Sequence, residues 1–288
     1  ELAASVKALG SPAVSITYEV RRYYPNREVA AQVIGFTGLD VQGLEGVEKV
    51  FNTYLQGESQ MVPTLRDARG TKVLNGALDP EYRSEGGDLH LTIDLQIQHA
   101  TEQALETALR NTRAKTASAV VLDVRNAELL AVATAPSFNL NKAKAAKAQN
   151  RRSRVFTDMF EPGSTFKPLV VGAALQIGAI DKDEEFFCEQ GRYTISNHTI
   201  KDASPYGHMT LRSIIQKSSN IGVTKIGEKI GKQRLFDALT QLGFGKKTGV
   251  RFPGETQGLL RPYKSWSDLG LATVSFGQGV AVSPLQLV

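Results

Sequence analysis

The chain has 288 residues, 41% hydrophobic and 22% charged, with a formal net charge of +5, the size and balance of one large or two ordinary globular domains. Its densest basic run (Lys142, Lys144, Lys147, Arg151, Arg152, Arg154) is interleaved with alanines rather than aromatics, a solvated surface that speaks against a nucleic-acid partner. The single cysteine, Cys188, excludes an internal disulfide and a Cys-based metal site, and no apolar run reaches the length of about 18 residues that spans a membrane.

The chain opens on Glu1-Leu2-Ala3-Ala4, which reads as the inside of a helix. Residues 13–22 alternate as a strand does and end at Tyr23-Tyr24-Pro25. Residues 28–34 and 44–55 read as short helices separated by glycines, and 61–75 as a hairpin with Arg69-Gly70 near its turn. The polar stretch 82–87 is the best boundary candidate, dividing the chain into 1–85 and 86–288. Beyond it, 89–93 reads as a strand, and Asp94 caps a helix that runs to about residue 109. Residues 119–123 and 129–133 bracket a turn at Arg125-Asn126, a hairpin of two largely buried strands.

Pro162-Gly163 then breaks the chain, and Leu169, Val170, Ala173, Ala174 and Ile177 follow at helical spacing with Gly178 as a stop. Residues 211–218, 221–230 and 232–242 read as helices, followed by glycine-rich stretches at 243–245 and 277–279. Ser283-Pro284 announces one more helix, N-cap then first turn. A helix announced so near the last residue, with another already under way at the first, gives the expectation of a fragment of a longer chain. A hairpin followed by many helices is an α+β pattern whose sheet needs further strands.

Within this order, Ser164-Thr165-Phe166-Lys167 carries the chemistry. A serine and a lysine at i, i+3 share one helix face, and a neutral lysine can take the proton of a serine nucleophile. The positive end of the helix dipole favours an oxyanion there and disfavours an ammonium. Roughly one Ser-x-x-Lys is expected by chance in a chain of this length, so the tetrapeptide alone reads first as a helix start with an exposed lysine. Acyl transfer also needs a proton relay to the leaving group and a clamp for the substrate amide. Ser218-Ser219-Asn220 offers a hydroxyl and a carboxamide for those tasks, although alone it is also a routine helix cap. Ser137-Phe138-Asn139 follows Pro136 and reads as a turn. His90, His99, His198 and His208 are scattered without metal-ligand spacing, so neither metal nor cofactor is expected. No Gly-x-Ser-x-Gly elbow surrounds Ser164. Asp158 and Glu161 flank the nucleophile helix, where helix-start electrostatics account for acidic residues.

Ser-x-x-Lys followed by Ser-x-Asn resembles the signature of penicillin-binding proteins. Further matches lie in Arg22-Tyr23-Tyr24-Pro25, Gly35-Phe36-Thr37, Gly43-Leu44-Glu45-Gly46-Val47-Glu48, Trp266-Ser267-Asp268 and Ser275-Phe276-Gly277. Together they resemble class B penicillin-binding proteins, and more narrowly the division-specific D,D-transpeptidases of Gram-negative bacteria. The resemblance implies a penicillin-recognising serine transferase fold, an antiparallel sheet flanked by helices, over 86–288, preceded by an elongated α+β non-catalytic module over 1–85. It implies Ser164 as acylated nucleophile and oxyanion-hole N–H, Lys167 as general base, Ser218 as proton relay and Asn220 as substrate clamp. It implies peptidoglycan stem peptides as substrates and β-lactams as inhibitors. It also implies a lipid II-polymerising glycosyltransferase and other division proteins as partners, and an anchored place on the periplasmic face of the inner membrane. A catalytically silent scaffold or β-lactam sensor is the alternative. Lys247-Thr248-Gly249 mimics the family's third motif but lies only 27 residues after Asn220, in what reads as a loop after a helix. The resemblance places the functional Lys-Thr-Gly strand beyond Val288, so this stretch as it stands is expected to be inactive and poorly folded.

Overall fold

The computed structural model describes residues 2–8, 21–57, 65–66, 68, 72–74 and 86–288. Helix α1 (Leu2–Ala8) is followed by α2 (Ala31–Ile34), α3 (Gly46–Val50) and α4 (Asn52–Gln56). The strand expected over 13–22 lies outside the described residues except for Arg21 and Arg22, which are irregular. Where 28–34 was expected to be helical, only its second half is. Ala30 is left-handed at φ 53, and its N–H donates to Glu102 Oε1 at 2.8 Å instead of entering a helix. The helix expected over 44–55 breaks at Phe51, whose φ is −105. Strands β1 (Leu65–Arg66) and β2 (Lys72–Leu74) pair antiparallel, as the expected hairpin requires, and its turn at Arg69-Gly70 lies outside the described residues.

Asp94 caps α5 (Leu95–Thr112) by accepting from Gln96 N and Ile97 N, one turn longer than expected. Strands β3 (Ala117–Asp123) and β4 (Glu128–Ala135) form the central hairpin. β4 is buried along its second half, whereas β3 is only half-buried throughout. Residues 89–93 are irregular, with a bend at Thr92, and are not a strand. Their neighbourhood makes a single backbone bond to β4, from Asp94 N to Leu130 O. The physical reason is Gln98. Its side chain accepts from Val132 N at 2.8 Å and donates to Val132 O at 3.0 Å, so an amide from α5 satisfies β4 where a strand would have continued.

Segment 24–36 packs directly on this hairpin. Tyr24, Ala31 and Phe36 share a cluster with Phe138, Leu140 and Ala143. Ala30 and Val33 share another with Val132, Val155, Phe156 and Leu285. Buried Gln32 donates to Thr134 O and Asn150 O.

Short helices α6 (Ala148–Arg151) and α7 (Arg154–Thr157) lead to a 3₁₀ turn over Gly163–Phe166 and then α8 (Lys167–Gln176). Strands β5 (Glu185–Phe187) and β8 (His208–Thr210) pair around an inner hairpin of β6 (Arg192–Ile195) and β7 (His198–Lys201). Helices α9 (Leu211–Lys217), α10 (Asn220–Ile230), α11 (Lys232–Gln241), α12 (Asp268–Ser275) and α13 (Pro284–Leu287) complete the order. Ser283 forms the capping box of α13 with Gln286.

The main core surrounds α10, with Phe166, Val170, Ile214, Ile221, Ile226, Leu235, Leu239 and Ala272 fully buried. Burial of such side chains contributes roughly 1.5–3 kcal/mol each. Gly227 sets the approach of α10 to α12, because a Cβ there would meet Ser275 Oγ at 2.0 Å. This core is what holds the start of α8 against the start of α10.

Candidate active site

Three chain segments converge at one point. The first is the turn before α8. Gly163 N donates to Gly277 O at 2.9 Å, and Phe160 exchanges backbone bonds with Val282. Glu161 Oε1 accepts from Gly279 N at 2.8 Å, so this acid ties two loops together rather than merely complementing a helix end. Asp158 is held by Arg152 and Arg154. Ser164 follows, exposed. It lies in the first turn of a helical segment, where backbone N–H groups have no partner within the helix, so its N–H is free to meet an oxyanion.

The second segment carries Lys167, which is not the exposed lysine of the simpler reading. It is 1% exposed. Its Nζ donates to Ser218 O at 2.6 Å, Ser218 Oγ at 2.9 Å and Asn220 Oδ1 at 2.8 Å. An ammonium has three N–H groups, and all three are used. Burial pushes the Lys167 pKa down to about 8, against an opposing pull from the nearby Asp202 carboxylate. At pH 7 roughly a tenth of such a group is the neutral amine, against roughly 0.03% for an unperturbed lysine. Ser164 and Lys167 share the start of one helix, as their spacing predicts, but Lys167 is bonded to Ser218 and Asn220 and not to Ser164.

The third segment is the α9–α10 junction. Ser218 ends α9 in the left-handed region at φ 56, which turns its carbonyl and hydroxyl onto Lys167. Ser219 is buried and caps α10, accepting from Gly222 N at 2.8 Å. Asn220 Nδ2 donates to Lys201 O at 3.0 Å, which fixes the amide so that its oxygen faces the lysine.

Ser164 and Asn220 open into a cleft of about 480 Å³, within the usual size of small-ligand sites. His198, Thr199 and Lys201 of β7 line one side, and Leu269, Thr273 and Phe276 line the other. A larger cleft of about 720 Å³ between Tyr24, Phe36 and 140–145 contains none of these groups. Lys247-Thr248-Gly249 is in a loop, where Thr248 N and Oγ1 both donate to Glu255 Oε1 at 2.7 and 2.5 Å. It does not line the Ser164 cleft, in keeping with its rejection as the third motif. Ser137-Phe138-Asn139 is irregular, and Asn139 caps the 3₁₀ segment Leu140–Ala145 by accepting from Asn141 N. Among the described residues no group of three or more His, Cys, Asp and Glu gathers as a metal site.

The sequence of residues 117–288 matches the penicillin binding protein transpeptidase domain, and residues 3–91 match the penicillin-binding protein dimerisation domain. The chain belongs to the penicillin-binding protein transpeptidase family. Among curated members, it is 39% identical over 287 residues to the peptidoglycan D,D-transpeptidase FtsI of Escherichia coli, covering all of this chain and 48% of that protein. It is 37% identical over 289 residues to the probable peptidoglycan D,D-transpeptidase PenA of Neisseria gonorrhoeae, covering all of this chain and 49% of that one. The chain thus spans about half the length of the curated relatives it matches. Among solved structures, it superposes on penicillin binding protein 3 of Mycobacterium tuberculosis complexed with aztreonam. The TM-score is 0.77 at 30% identity, over 92% of this chain and 56% of that one. The mixed helix-and-sheet architecture is therefore the penicillin-recognising fold that the motifs implied.

This penicillin-binding protein chain also contains residues that sequence reasoning passed over. Strands β6 and β7, the second of which lines the cleft, carry a readable signal: Arg-Tyr-Thr-Ile and His-Thr-Ile-Lys around a two-residue Ser-Asn turn. Asp202, directly after β7, carries no such signal. Its partners lie 17 to 19 residues away, and only the fold brings them to it.

Proposed function

We propose that the protein is a serine-type peptidoglycan D,D-transpeptidase in which Ser164 is the acylated nucleophile. The observation that carries this reading is the buried Lys167 amine, bonded at once to Ser218 and Asn220. No ordinary surface lysine is built this way. When Lys167 loses one proton, it gains a lone pair, and the Ser218 hydroxyl can turn from acceptor to donor.

The chemistry then balances as follows. Ser164 Oγ forms a bond to the carbonyl carbon of the penultimate D-Ala, and its proton passes to Lys167. The oxyanion meets the Ser164 N–H at the positive end of the helix. The C–N bond breaks, and the departing D-Ala nitrogen takes a proton from Lys167 through the Ser218 hydroxyl. An amine of a second stem peptide attacks the ester, loses its proton to Lys167, and Ser164 Oγ leaves and is reprotonated. Asn220, with its Oδ1 on Lys167 and its Nδ2 on Lys201 O, holds the donor amide along the cleft. A β-lactam acylates the same oxygen by ring opening, and its ester persists because no amine displaces it.

The same reading assigns residues 1–85 to the non-catalytic module and 86–288 to the transpeptidase domain. It assigns the activity to the division septum at the periplasmic face of an inner membrane, beside a lipid II-polymerising glycosyltransferase. The names of the relatives support the reaction, and the FtsI name supports the division role.

The test supplies the full-length protein with a donor ending in D-Ala-D-Ala and an amine acceptor. Free D-Ala and a cross-linked product are expected from the wild type and from neither Ser164→Ala nor Lys167→Ala. Product from Ser164→Ala would remove Ser164 from the role.

A further inference from the structure

We propose that the strand wall of the cleft selects the donor: His198 and Lys201 of β7 favour a stem peptide whose residue before D-Ala-D-Ala carries a free side-chain carboxylate. The inference deepens the acyl-enzyme reading above and rests on it.

The free edge of β7 brings the peptide there. A two-residue turn joins β6 to β7, with Ser196 left-handed at φ 53. Ile195 stands opposite His198 and Thr194 opposite Thr199. In such a hairpin the closing pair exchanges backbone bonds and the next pair does not. Thr199 and Lys201 therefore turn their N–H and C=O groups away from β6. Lys201 O meets Asn220 Nδ2 at 3.0 Å. Among the described residues the Thr199 backbone groups meet no partner. A donor whose amide is held by Asn220 thus finds an open strand edge beside it. An extended peptide adds to such an edge through backbone bonds, and the side chains around it decide which peptide is taken.

Charge makes that choice. Side chains alternate along a strand, so Lys201 stands on one face of β7 and His198 on the other. Both are exposed, and both line the cleft that holds Ser164. Among the described residues that line it there is no Asp or Glu. Asp202, next in the chain, is spent on Ser219 Oγ and on the first N–H groups of α10. On α10, Lys225 and Lys229 are paired with Glu189 and Glu184. Among the described residues neither Lys201 nor His198 has an ion-pair partner. Leu269 and Phe276 make the opposite wall apolar. A cleft with charge of one sign and an apolar wall concentrates its field on the ligand. It favours an anionic side chain over a neutral one.

The experiment uses the full-length protein and two synthetic donors ending in D-Ala-D-Ala. They differ only in the preceding residue, which bears a side-chain carboxylate in one and its carboxamide in the other. The kcat/KM for D-Ala release is measured for each. Wild type is expected to prefer the carboxylate donor about fivefold, the upper range of a solvent-accessible ion pair. The preference should fall to parity in the double variant His198→Gln/Lys201→Gln and reverse in Lys201→Glu. A loss of packing alone would slow both donors together and leave their ratio unchanged. Equal turnover of the two donors by wild type, or a preference that persists in the double variant, overturns the proposal. If the variants do not fold, salt decides on the wild type. A preference that falls towards parity at about 1 M salt, where the screening length is about 3 Å, supports the proposal, and one that salt leaves unchanged overturns it. Wild type that releases D-Ala from neither donor instead overturns the acyl-enzyme reading itself, and this inference with it.

Discussion

A lysine in an apolar interior must be paired, neutral or both. Lys167 resolves this by giving every N–H of its charged form a neutral oxygen while keeping its pKa near working pH. The arrangement predicts a definite pH dependence. In the proposed reaction the base is the unprotonated form, so the acylation rate should fall about tenfold for each unit that pH drops below the Lys167 pKa of about 8. Lys167→Arg keeps a cation at the site but cannot be deprotonated at any accessible pH. Its acylation rate should fall by about a thousandfold or more with no ascending limb left, measured with a reporter β-lactam. A rate in Lys167→Arg within tenfold of wild type would show that another group takes the Ser164 proton.

At the scale of elements, the turn that carries Ser164, the proposed nucleophile, is held by backbone stitching to the 277–282 segment. Gly277 approaches the turn so closely that a Cβ would lie 2.1 Å from Gly163 O, and its φ is +79. Gly277→Ala should therefore cost about 2 kcal/mol or more of stability and slow acylation more than tenfold. Gly178 is the control. It is also left-handed, at φ +65, with nothing near a Cβ, so Gly178→Ala should cost the strain alone, about 1 kcal/mol of stability, and leave the acylation rate at its wild-type value. Equal acylation rates in the two variants would contradict the stitching.

The elements also show what can be read without a structure. α5, the central hairpin and α8 to α11 follow from periodicity and turn signals, because their boundaries are marked in the local sequence even though the core they form is long-range. The 89–93 strand and the full helix over 28–34 fail for one shared reason. In each case a side chain distant in sequence, Gln98 or Glu102, takes over backbone groups that periodicity assigns to regular pairing. Ser164, Lys167, Ser218 and Asn220 were legible because their spacing is constrained by two helix starts. Asp202 was not legible, because a carboxylate that caps a helix from another segment leaves no local pattern.

At the scale of the whole molecule, Ser164 and Lys167 are held by a core of apolar helices, and the central hairpin has apolar clusters of its own. Segment 24–36 is packed into that hairpin and is not hung beside it. Gln32 bonds carbonyls of β4 and α6, Glu102 holds Ala30, and Tyr24 donates to Glu48, which also pairs with Arg22. Burial, reinforced by Glu48, pushes the Tyr24 phenol up to about 12, so it stays a donor throughout the working pH range. The N-terminal segment is therefore joined to the hairpin and to the segments around it by side-chain bonds and two apolar clusters. The central claim is that this framework exists to make Ser164 a nucleophile. The most direct measurement is intact-mass and peptide mapping of the full-length protein after reaction with a penicillin. The account predicts one adduct, located on Ser164 and absent from Ser164→Ala, whereas an adduct on another residue, or one that survives in Ser164→Ala, would contradict it.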